Sequence, residues 1–202
     1  MRFSVITPCR LIPYQNCAQF MDQKLIRSVQ SVLAQSFTDF ELIVIADGCQ
    51  QTKDIITANF TDRRIQLLEC EHKQVFDNLP RNTGIAAAKG DYIIYIDADD
   101  YWGPNHLEII NRNLKNYDWV YYNDFVYNGN WVERACNIRL LGGCGTSNVC
   151  HARKLNLKWD RPGYSHDYYF NQKLVVHPNN NKIETPEYYV CHAPLVAGGW
   201  DI

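Results

Sequence analysis

The first half of the chain alternates short apolar runs with longer polar segments. Each run is built mainly from Ile, Val, Leu, Phe and Tyr, which is typical of strands that are buried on both faces. Polar or turn-forming residues follow these runs, as Pro8 and Asp47-Gly48 do. The pattern predicts strands at residues 3–7, 41–46, 65–68 and 92–96.

The segments between these strands have helical patterns. Apolar residues recur at helical spacing over 25–33, and residues 50–58 form a mostly polar segment of helical length. Residues 80–89 begin at Pro80 and are followed by Gly90, which suits the start and the end of a helix. Strands that alternate with helices predict an α/β fold with a mostly parallel central sheet flanked by helices.

The second half is richer in Tyr, Trp, Asn and Gly and has a less regular pattern. Residues 104–115 have a helical pattern, and residues 118–127 and 131–139 are strand-like, with a hairpin turn expected at 128–130. The Gly-rich stretch 142–145 predicts a flexible loop. We therefore expect a smaller mixed region to follow the α/β core.

Length and composition suit one globular domain. The chain has 202 residues, of which 46% are hydrophobic and 21% charged, and its net charge is −2. This balance gives no basic surface for nucleic acid or anionic lipid, and no stretch reaches the length of a membrane span. We expect no nucleic-acid partner and no membrane span. The chain could also be one domain of a longer multidomain protein.

Eight cysteines occur at irregular spacing, without a C-x-x-C pair or a convincing zinc-binding pattern. Several lie in apolar runs, where a free cysteine behaves as a small hydrophobic residue. We interpret them as reduced thiols, and the N-terminus has the pattern of a strand rather than of a signal peptide. A cytoplasmic location is therefore expected, with a disulfide in a secreted product as the alternative.

Three carboxylates, Asp97, Asp99 and Asp100, follow the predicted strand at 92–96. Ligands of open α/β sheets bind beyond the carboxyl ends of the strands. Asp97 and Asp99 can converge there on one hard cation, Mg²⁺ or Mn²⁺, which commonly bridges a carboxylate and a diphosphate. A solvated loop in which Asp99 or Asp100 caps the next helix explains the spacing equally well. The spacing alone leaves both interpretations open.

Six segments carry a more specific signal. They are Ser4–Pro8, Arg27–Ser36, Glu41–Gly48, Arg81–Ile85, Asp97–Asp100 and Gly163–Phe170. In this order and spacing they resemble motifs of the family 2 glycosyltransferases, which have the GT-A fold, although residues 101–160 match only loosely. The resemblance implies a single GT-A domain over 1–202, with a nucleotide-binding half at 1–100 and an acceptor-binding half at 101–202.

The resemblance also implies an activity. Family members are inverting glycosyltransferases that move a sugar from a nucleotide-diphosphate donor, most often UDP-linked, to a hydroxyl of a glycan or glycoprotein. Thr7 and Pro8 would line the nucleoside pocket by backbone contact, Asp47 would accept the base N3–H, and Arg81 would meet the diphosphate or the base. Each residue also has a structural explanation, as a strand end, a turn residue or a surface arginine.

The Asp97-Ala98-Asp99 segment matches the D-x-D motif of the family. The match implies that Asp99 ligates Mn²⁺ or Mg²⁺, and that Asp97 meets the ribose hydroxyls or reaches the metal through water. Asp100 would orient the donor sugar, and His192 is a further candidate metal ligand. A bound metal would neutralise the charge that builds up on the leaving diphosphate.

An inverting transfer needs a general base that takes the proton of the acceptor hydroxyl. Asp167 holds the second position of the family's E-D segment and is the expected base, with a helix-start aspartate as the structural alternative. The usual Glu of that segment is His166 here, and Cys9 and Ala46 are further departures from the family pattern. These departures support an alternative function, a nucleotide-sugar-binding module without turnover.

The Asn- and Tyr-rich second half is also similar to what we expect of a viral member of this family that glycosylates capsid protein. That source would place the protein in the host cytoplasm. It adds nothing to the chemistry above.

Overall fold

A computed structural model describes residues 1–13, 18–127, 129–185 and 187–191. Within these ranges the α-helices are α1 (Met21–Leu33), α2 (Gln50–Asn59), α3 (Leu79–Ala87), α4 (His106–Leu114) and α5 (His166–Val175). The strands are β1 (Phe3–Cys9), β2 (Phe40–Asp47), β3 (Ile65–Cys70), β4 (Tyr92–Tyr95), β5 (Tyr101–Trp102), β6 (Trp119–Tyr122), β7 (Asp124–Tyr127), β8 (Trp131–Arg134), β9 (Val149–Ala152), β10 (Asn180–Ile183) and β11 (Tyr188–Val190). None of these helices is long and apolar enough to cross a membrane.

The central sheet has seven strands in the order β10-β6-β9-β4-β1-β2-β3. Parallel pairs join β1 to β2, β1 to β4, β2 to β3 and β6 to β10, whereas β9 runs antiparallel to β4 and β6. The predicted mostly parallel sheet is therefore confirmed. The register sets Cys9 beside Ala46 and Ile6 beside Tyr95, so the carboxyl ends of β1, β2 and β4 meet at one edge.

The core lies on both faces of this sheet. All eight residues of β2 are buried, and alternate ones enter different clusters. Leu42 and Val44 pack with residues of α1 and α4, whereas Ile43 and Ile45 pack with residues of α5. Because successive side chains of a strand point to opposite faces, the sheet has an apolar layer on each side. Burial on both faces explains why the strands read as continuous apolar runs.

The second half departs from the predicted boundaries. The predicted strand at 118–127 is divided by Asn123, so that β6 joins the central sheet and β7 joins a second, mixed sheet of order β5-β11-β7-β8. Asn123 is buried, and its amide donates to Glu133 and Glu184 at 2.7 and 3.0 Å. The predicted hairpin between β7 and β8 is present, but Asn128 of its turn lies outside the described residues. The strand predicted at 131–139 ends at Arg134.

Two contacts fix α3 in place. Gly84 brings the helix close to the sheet, because a Cβ atom there would lie 2.7 Å from Ile6 Cγ2 and 3.0 Å from Ile45 Cδ1. Asn82 exchanges hydrogen bonds with the backbone of Trp159, donating to the carbonyl at 2.8 Å and accepting from the N–H at 2.9 Å. The helix is therefore held against the sheet and against the segment before α5 at the same time.

Gly90, between α3 and β4, leaves no room for a side chain. A Cβ atom there would lie 2.6 Å from the backbone of Phe3 and of Ser4. We expect Gly90→Ala to lower the free energy of unfolding by about 2–3 kcal/mol, because β1 cannot retreat without disturbing two strand pairs. Urea denaturation measures the loss.

Gly142→Ala is the matched control. Gly142 has a φ of 73° but open space around its Cα, so the substitution meets backbone strain without a clash. We expect a cost of about 1–2 kcal/mol, lower than that at Gly90. An equal or larger loss at Gly142 would contradict the packing argument.

Candidate active site

A cavity of about 220 Å³ opens at the carboxyl edge of the central sheet, beyond the ends of β1, β2 and β4. This is the edge at which open α/β sheets bind their ligands. The predicted site residues that line it are Pro8, Asp47, Arg81, Asp97, Ala98, Asp99 and Asp167. Residues from five separate segments of the sequence thus meet around one space.

One predicted residue of the described part of the chain, Thr7, stands apart from the cavity. Thr7 is buried one residue deeper in β1, is not part of the cavity wall, and its hydroxyl has no hydrogen-bond partner. Successive residues of a strand face opposite sides, so the Thr7 side chain points away from that of Pro8. The structure therefore does not place the Thr7 side chain in the predicted pocket. His192 lies outside the described residues.

Asp47, the last residue of β2, is held by its neighbours. Nδ1 of His72 lies 2.9 Å from its Oδ2, the Cys70 thiol donates to its Oδ1 at 3.8 Å, and the Arg10 guanidinium donates to its backbone carbonyl at 3.0 Å. Gly48 makes the histidine contact possible, because it has a φ of 56° and a Cβ atom there would lie 2.7 Å from the His72 Cβ. The Asp47 carboxylate is thereby fixed at the cavity wall.

Arg81 supplies positive charge next to the acidic segment. Its Nη2 donates to Oδ1 of Asp97 at 3.1 Å, and its guanidinium lies 4.7 Å from the centre of the Trp159 ring. Enclosure in the protein raises the pKa of Asp97, which Arg81 opposes and the charges of Asp99 and Asp167 reinforce. Three carboxyl groups, those of Asp97, Asp99 and Asp167, thus act on this point together with one guanidinium, and a bound cation would favour their ionised form.

The three carboxylates of the acidic segment have different surroundings. Asp97 and Asp99 line the cavity, whereas Asp100 is 3% exposed and faces β11. The Tyr188 hydroxyl donates to Oδ2 of Asp100 at 2.7 Å, and the backbone N–H of Cys191 donates to its Oδ1 at 2.7 Å. Asp100 is therefore a structural residue that joins the acidic segment to β11, and the expectation that it orients a sugar was wrong.

The acidic edge of the cavity fits a hard divalent cation. Asp97 and Asp99 offer carboxylate oxygens, the ligands that Mg²⁺ and Mn²⁺ prefer, in a region of excess negative charge. Across the part of the chain that the structure describes, no group of three or more His, Cys, Asp or Glu side chains could hold a metal ion. Two carboxylates leave the other coordination positions to water or to a bound diphosphate. The metal stays a prediction that the donor set supports.

Asp167 lies in the first turn of α5, where the helix N-terminus favours negative charge. The Thr146 hydroxyl donates to its Oδ1, and Nε2 of His166 lies 3.2 Å from the same oxygen. Burial disfavours the carboxylate, but the hydrogen bond and charge of His166, with Arg81 and Thr146, outweigh it and lower the pKa of Asp167 to about 2. The group is therefore ionised at neutral pH, as a proton acceptor must be.

His166 replaces the acidic Glu that is usual at its position with an imidazole ring. Its Nδ1 lies 2.7 Å from the Gly163 carbonyl oxygen and its Nε2 lies 3.2 Å from Asp167 Oδ1. Both nitrogens thus face acceptors, and both can donate only when the ring carries two protons. The ring also packs against Trp159 and Phe76, at 5.3 and 5.5 Å between ring centres. A histidine held in this way orients the Asp167 carboxylate.

Sequence reasoning missed three residues that shape the cavity or its base. His72 follows β3, and the rule that polar residues after a strand reach the ligand edge would have found it if applied to that strand. Phe76 lines the cavity beside His166, and Thr146 bonds Asp167 across 21 positions of sequence. Phe76 and Thr146 belong to no local sequence pattern, because their partners, His166 and Asp167, lie in a distant segment.

Comparison with known proteins identifies the family. The model of Glycosyl transferase family 2 matches residues 10–177, which is most of the chain. The chain therefore belongs to glycosyl transferase family 2. The family predicted from the six sequence segments is confirmed.

Relatives and solved structures agree with this assignment. The UDP-Glc:alpha-D-GlcNAc-diphosphoundecaprenol beta-1,3-glucosyltransferase WfgD of Escherichia coli is 32% identical over 127 residues, which cover 58% of this chain and 50% of WfgD. Glycosyltransferase GlyG of Streptococcus pneumoniae serotype 4 is 30% identical over 110 residues, covering 54% of this chain and 35% of GlyG. The crystal structure of S. aureus TarS 1-349 in complex with UDP-GlcNAc has a TM-score of 0.78 at 18% identity, covering 94% of this chain and 58% of that chain.

The likeness to TarS confirms the GT-A fold that the sequence predicted. The chain spans half or less of the length of the two curated relatives and 58% of the TarS 1-349 chain. Similarity over part of their length therefore does not assign the substrates or partners of these longer proteins to this chain. The viral source and the cytoplasmic location stay predictions.

The contact between His166 and Asp167 predicts a measurable titration. In His166→Gln the carboxyl loses its neighbouring charge, so the pKa of Asp167 should rise from about 2 to about 4 or above, the ordinary value of an aspartate or higher. Protonation then occurs at higher pH than in the wild-type protein. Carbon-13 NMR of the Asp167 carboxyl follows the titration.

Thr146→Val is the matched control for this titration. It removes a neutral hydrogen-bond donor from the same oxygen and leaves the histidine in place, so the pKa of Asp167 should rise by less than in His166→Gln. An unchanged pKa in His166→Gln would show that the histidine does not control this carboxyl.

Proposed function

We propose that the chain is the donor-binding and catalytic domain of an inverting, metal-dependent glycosyltransferase. It moves a sugar from a UDP-sugar to a hydroxyl of a glycan or glycoprotein. The observation that carries this proposal is the meeting of Asp97, Asp99, Arg81 and Asp167 around one cavity in a family 2 fold. WfgD, whose name specifies UDP-Glc, and TarS, whose structure contains UDP-GlcNAc, support a uridine donor.

The donor nucleotide would lie across the ends of β1 and β2. Asp47 accepts the N3–H of uracil, and His72 and Arg10 hold that aspartate in place. Pro8 lines the same wall. Cytosine has no N3–H and presents an acceptor at that position, so the fixed carboxylate distinguishes the two pyrimidines.

The diphosphate would lie beside Arg81 and the acidic segment, which line the same cavity. Asp99 and Asp97 would hold Mn²⁺ or Mg²⁺, which supplies positive charge to the leaving diphosphate when it is bound. Arg81 adds a second positive charge, and its pairing with Asp97 at 3.1 Å keeps it in position before the donor arrives.

Asp167 would be the general base. The acceptor hydroxyl oxygen forms a bond to the anomeric carbon as its proton passes to Asp167, and the bond from that carbon to the diphosphate oxygen breaks with its electrons on UDP. Attack from the face opposite the leaving group inverts the configuration. Thr146 and His166 both bond Oδ1, which leaves Oδ2 of Asp167 to take the proton.

A nucleotide-sugar-binding module without turnover is the alternative function. Cys9, Ala46 and His166 depart from the family pattern and favour it. Cys9 offers no aromatic ring for stacking on the base, and burial above all raises the pKa of its thiol to about 12, so it is a neutral group in the cavity wall. The two functions predict the same binding but different turnover.

Asp167→Asn separates these functions. If Asp167 is the base, the substitution should lower the release of UDP from a UDP-sugar about 10²–10⁴-fold, because the amide cannot accept the proton. Wild-type release should require Mn²⁺ or Mg²⁺ and stop with a chelator. Binding of UDP by calorimetry should be unchanged in the variant.

Asp160→Asn is the control for turnover, since Asp160 is an exposed carboxylate paired with Lys173 at 2.7 Å. It should release UDP at the wild-type rate. Wild-type protein that binds UDP-sugars but releases no UDP with any acceptor or metal would favour the inactive module instead.

Asp47→Asn tests the base contact. Wild-type protein should bind UDP at least about 10-fold more tightly than CDP, because the carboxylate accepts N3–H of uracil and repels N3 of cytosine. The amide of the variant can donate to cytosine, so the two affinities should come within a few-fold of each other. Calorimetric titration with both nucleotides measures the ratio.

Asp77→Asn is the cavity-lining control for this comparison. Asp77 accepts the N–H of Leu79 at 2.6 Å near the start of α3, a role that asparagine also fills. The preference for UDP should persist in this variant. A preference that is lost equally in both variants would assign the effect to general charge rather than to Asp47.

A further inference from the structure

Cys136 and Cys144 flank a short loop beside α5, the helix that carries Asp167. The N–H of Asn137 donates to the Gly143 carbonyl at 2.7 Å, and a Cβ atom at Gly143 would lie 2.5 Å from the Asn137 carbonyl oxygen. The two backbones therefore meet through one cross-chain hydrogen bond at the positions next to Cys136 and Cys144. A disulfide between the two would need their Cβ atoms to lie roughly 3.5–4.5 Å apart.

The two side chains also share one buried cluster. Cys136 is 4% exposed and Cys144 is 5% exposed, and both pack in the core layer on the α5 side of the sheet. The Cys144 thiol donates to the Gly145 carbonyl at 3.5 Å, and the neighbouring Cys136 thiol, together with burial, raises the pKa of Cys144. Cys150, the next cysteine along the chain, belongs to the layer on the other face.

We infer that Cys136 and Cys144 are a redox-modification site, a thiol pair that closes to a disulfide under oxidising conditions and ties the neck of loop 137–143. A low-molecular-weight disulfide such as oxidised glutathione serves as the oxidant. Cys136 and Cys144 lose their thiol protons and two electrons as their S–S bond forms, and the S–S bond of glutathione breaks to give two glutathione thiols. Neither step requires donor, acceptor or metal.

The loop is placed to affect α5. The side chains of Asn171 and Gln172 donate to the carbonyls of Cys144 and Ile138 at 2.9 and 3.3 Å. Thr146, two residues after Cys144, donates to Asp167. A disulfide at the neck of the loop therefore fixes the segment that holds the Asp167 carboxylate. Because both thiols are buried, the bond is expected to form readily during folding and to exchange slowly afterwards.

Peptide mapping tests the pairing. The full chain is reduced, unfolded, refolded in a buffer of reduced and oxidised glutathione, alkylated and cleaved with trypsin. Cleavage after Arg134, Arg139 and Arg153 separates Cys136 from Cys144, so only a disulfide joins peptides 135–139 and 140–153. We expect this joined peptide in the wild-type chain.

Two variants assign the sulfur atoms, because peptide 140–153 also contains Cys150. The joined peptide should persist in Cys150→Ser and disappear in Cys144→Ser, with near-ultraviolet circular dichroism as the check that each variant has folded. Recovery of Cys136 and Cys144 as separately alkylated peptides in the wild-type chain, or retention of the joined peptide in Cys144→Ser, would overturn the inference.

Thermal unfolding gives a second readout. The oxidised wild-type chain should unfold about 5 °C above the reduced chain, because the bond restricts the unfolded state. Cys136→Ser, treated in the same way, should show no such difference. Equal unfolding temperatures of oxidised and reduced wild-type chains would show that the loop is not tied by this bond. Neither the peptide map nor the unfolding temperature depends on glycosyl transfer. Failure of this inference can therefore be distinguished from failure of the proposed function.

Discussion

The cavity depends on the position of one guanidinium group, that of Arg81. It pairs with Asp97 at 3.1 Å and helps to lower the pKa of Asp167, so it balances carboxylates from two distant parts of the chain. Arg81 lies on α3, whose position is fixed by two contacts. Gly84 packs closely against the sheet, and Asn82 is hydrogen-bonded to Trp159 in the segment before α5. A positive charge fixed in this way keeps acidic groups close together before any ligand is bound.

Each end of the cavity repeats one arrangement, a carboxylate beside a histidine. Nδ1 of His72 lies 2.9 Å from Asp47, and Nε2 of His166 lies 3.2 Å from Asp167. In the first pair the absent side chain of Gly48 makes room for the ring, and in the second pair the first turn of α5 brings the two residues together. Each histidine restricts the rotamers of the neighbouring carboxylate before a ligand binds. Less conformational entropy of that side chain is therefore lost on binding.

The first half of the fold was predictable because its strands are buried on both faces. The apolar runs found β1 to β4 with end positions that differ by at most two residues, and the resemblance found seven of the residues that line the cavity. The prediction of one strand over 118–127 was wrong. The sequence pattern does not show that the chain passes from one sheet to the other at Asn123. The hydrogen bonds of Thr146 to Asp167 and of Tyr188 to Asp100 could not be predicted for a related reason. The two partners of each bond lie far apart in the sequence.

The bonds from Asp100 to Tyr188 and Cys191 have a consequence for folding kinetics. They join positions 88 and 91 residues apart, so the segment that carries the acidic cluster is secured only after a long loop has closed. Contacts of such high sequence separation form late and slow the approach to the native state. The pairs β1–β2 and β2–β3 join residues only 37 and 23 positions apart, so these strands can pair early while the acidic segment remains loosely held until β11 has docked.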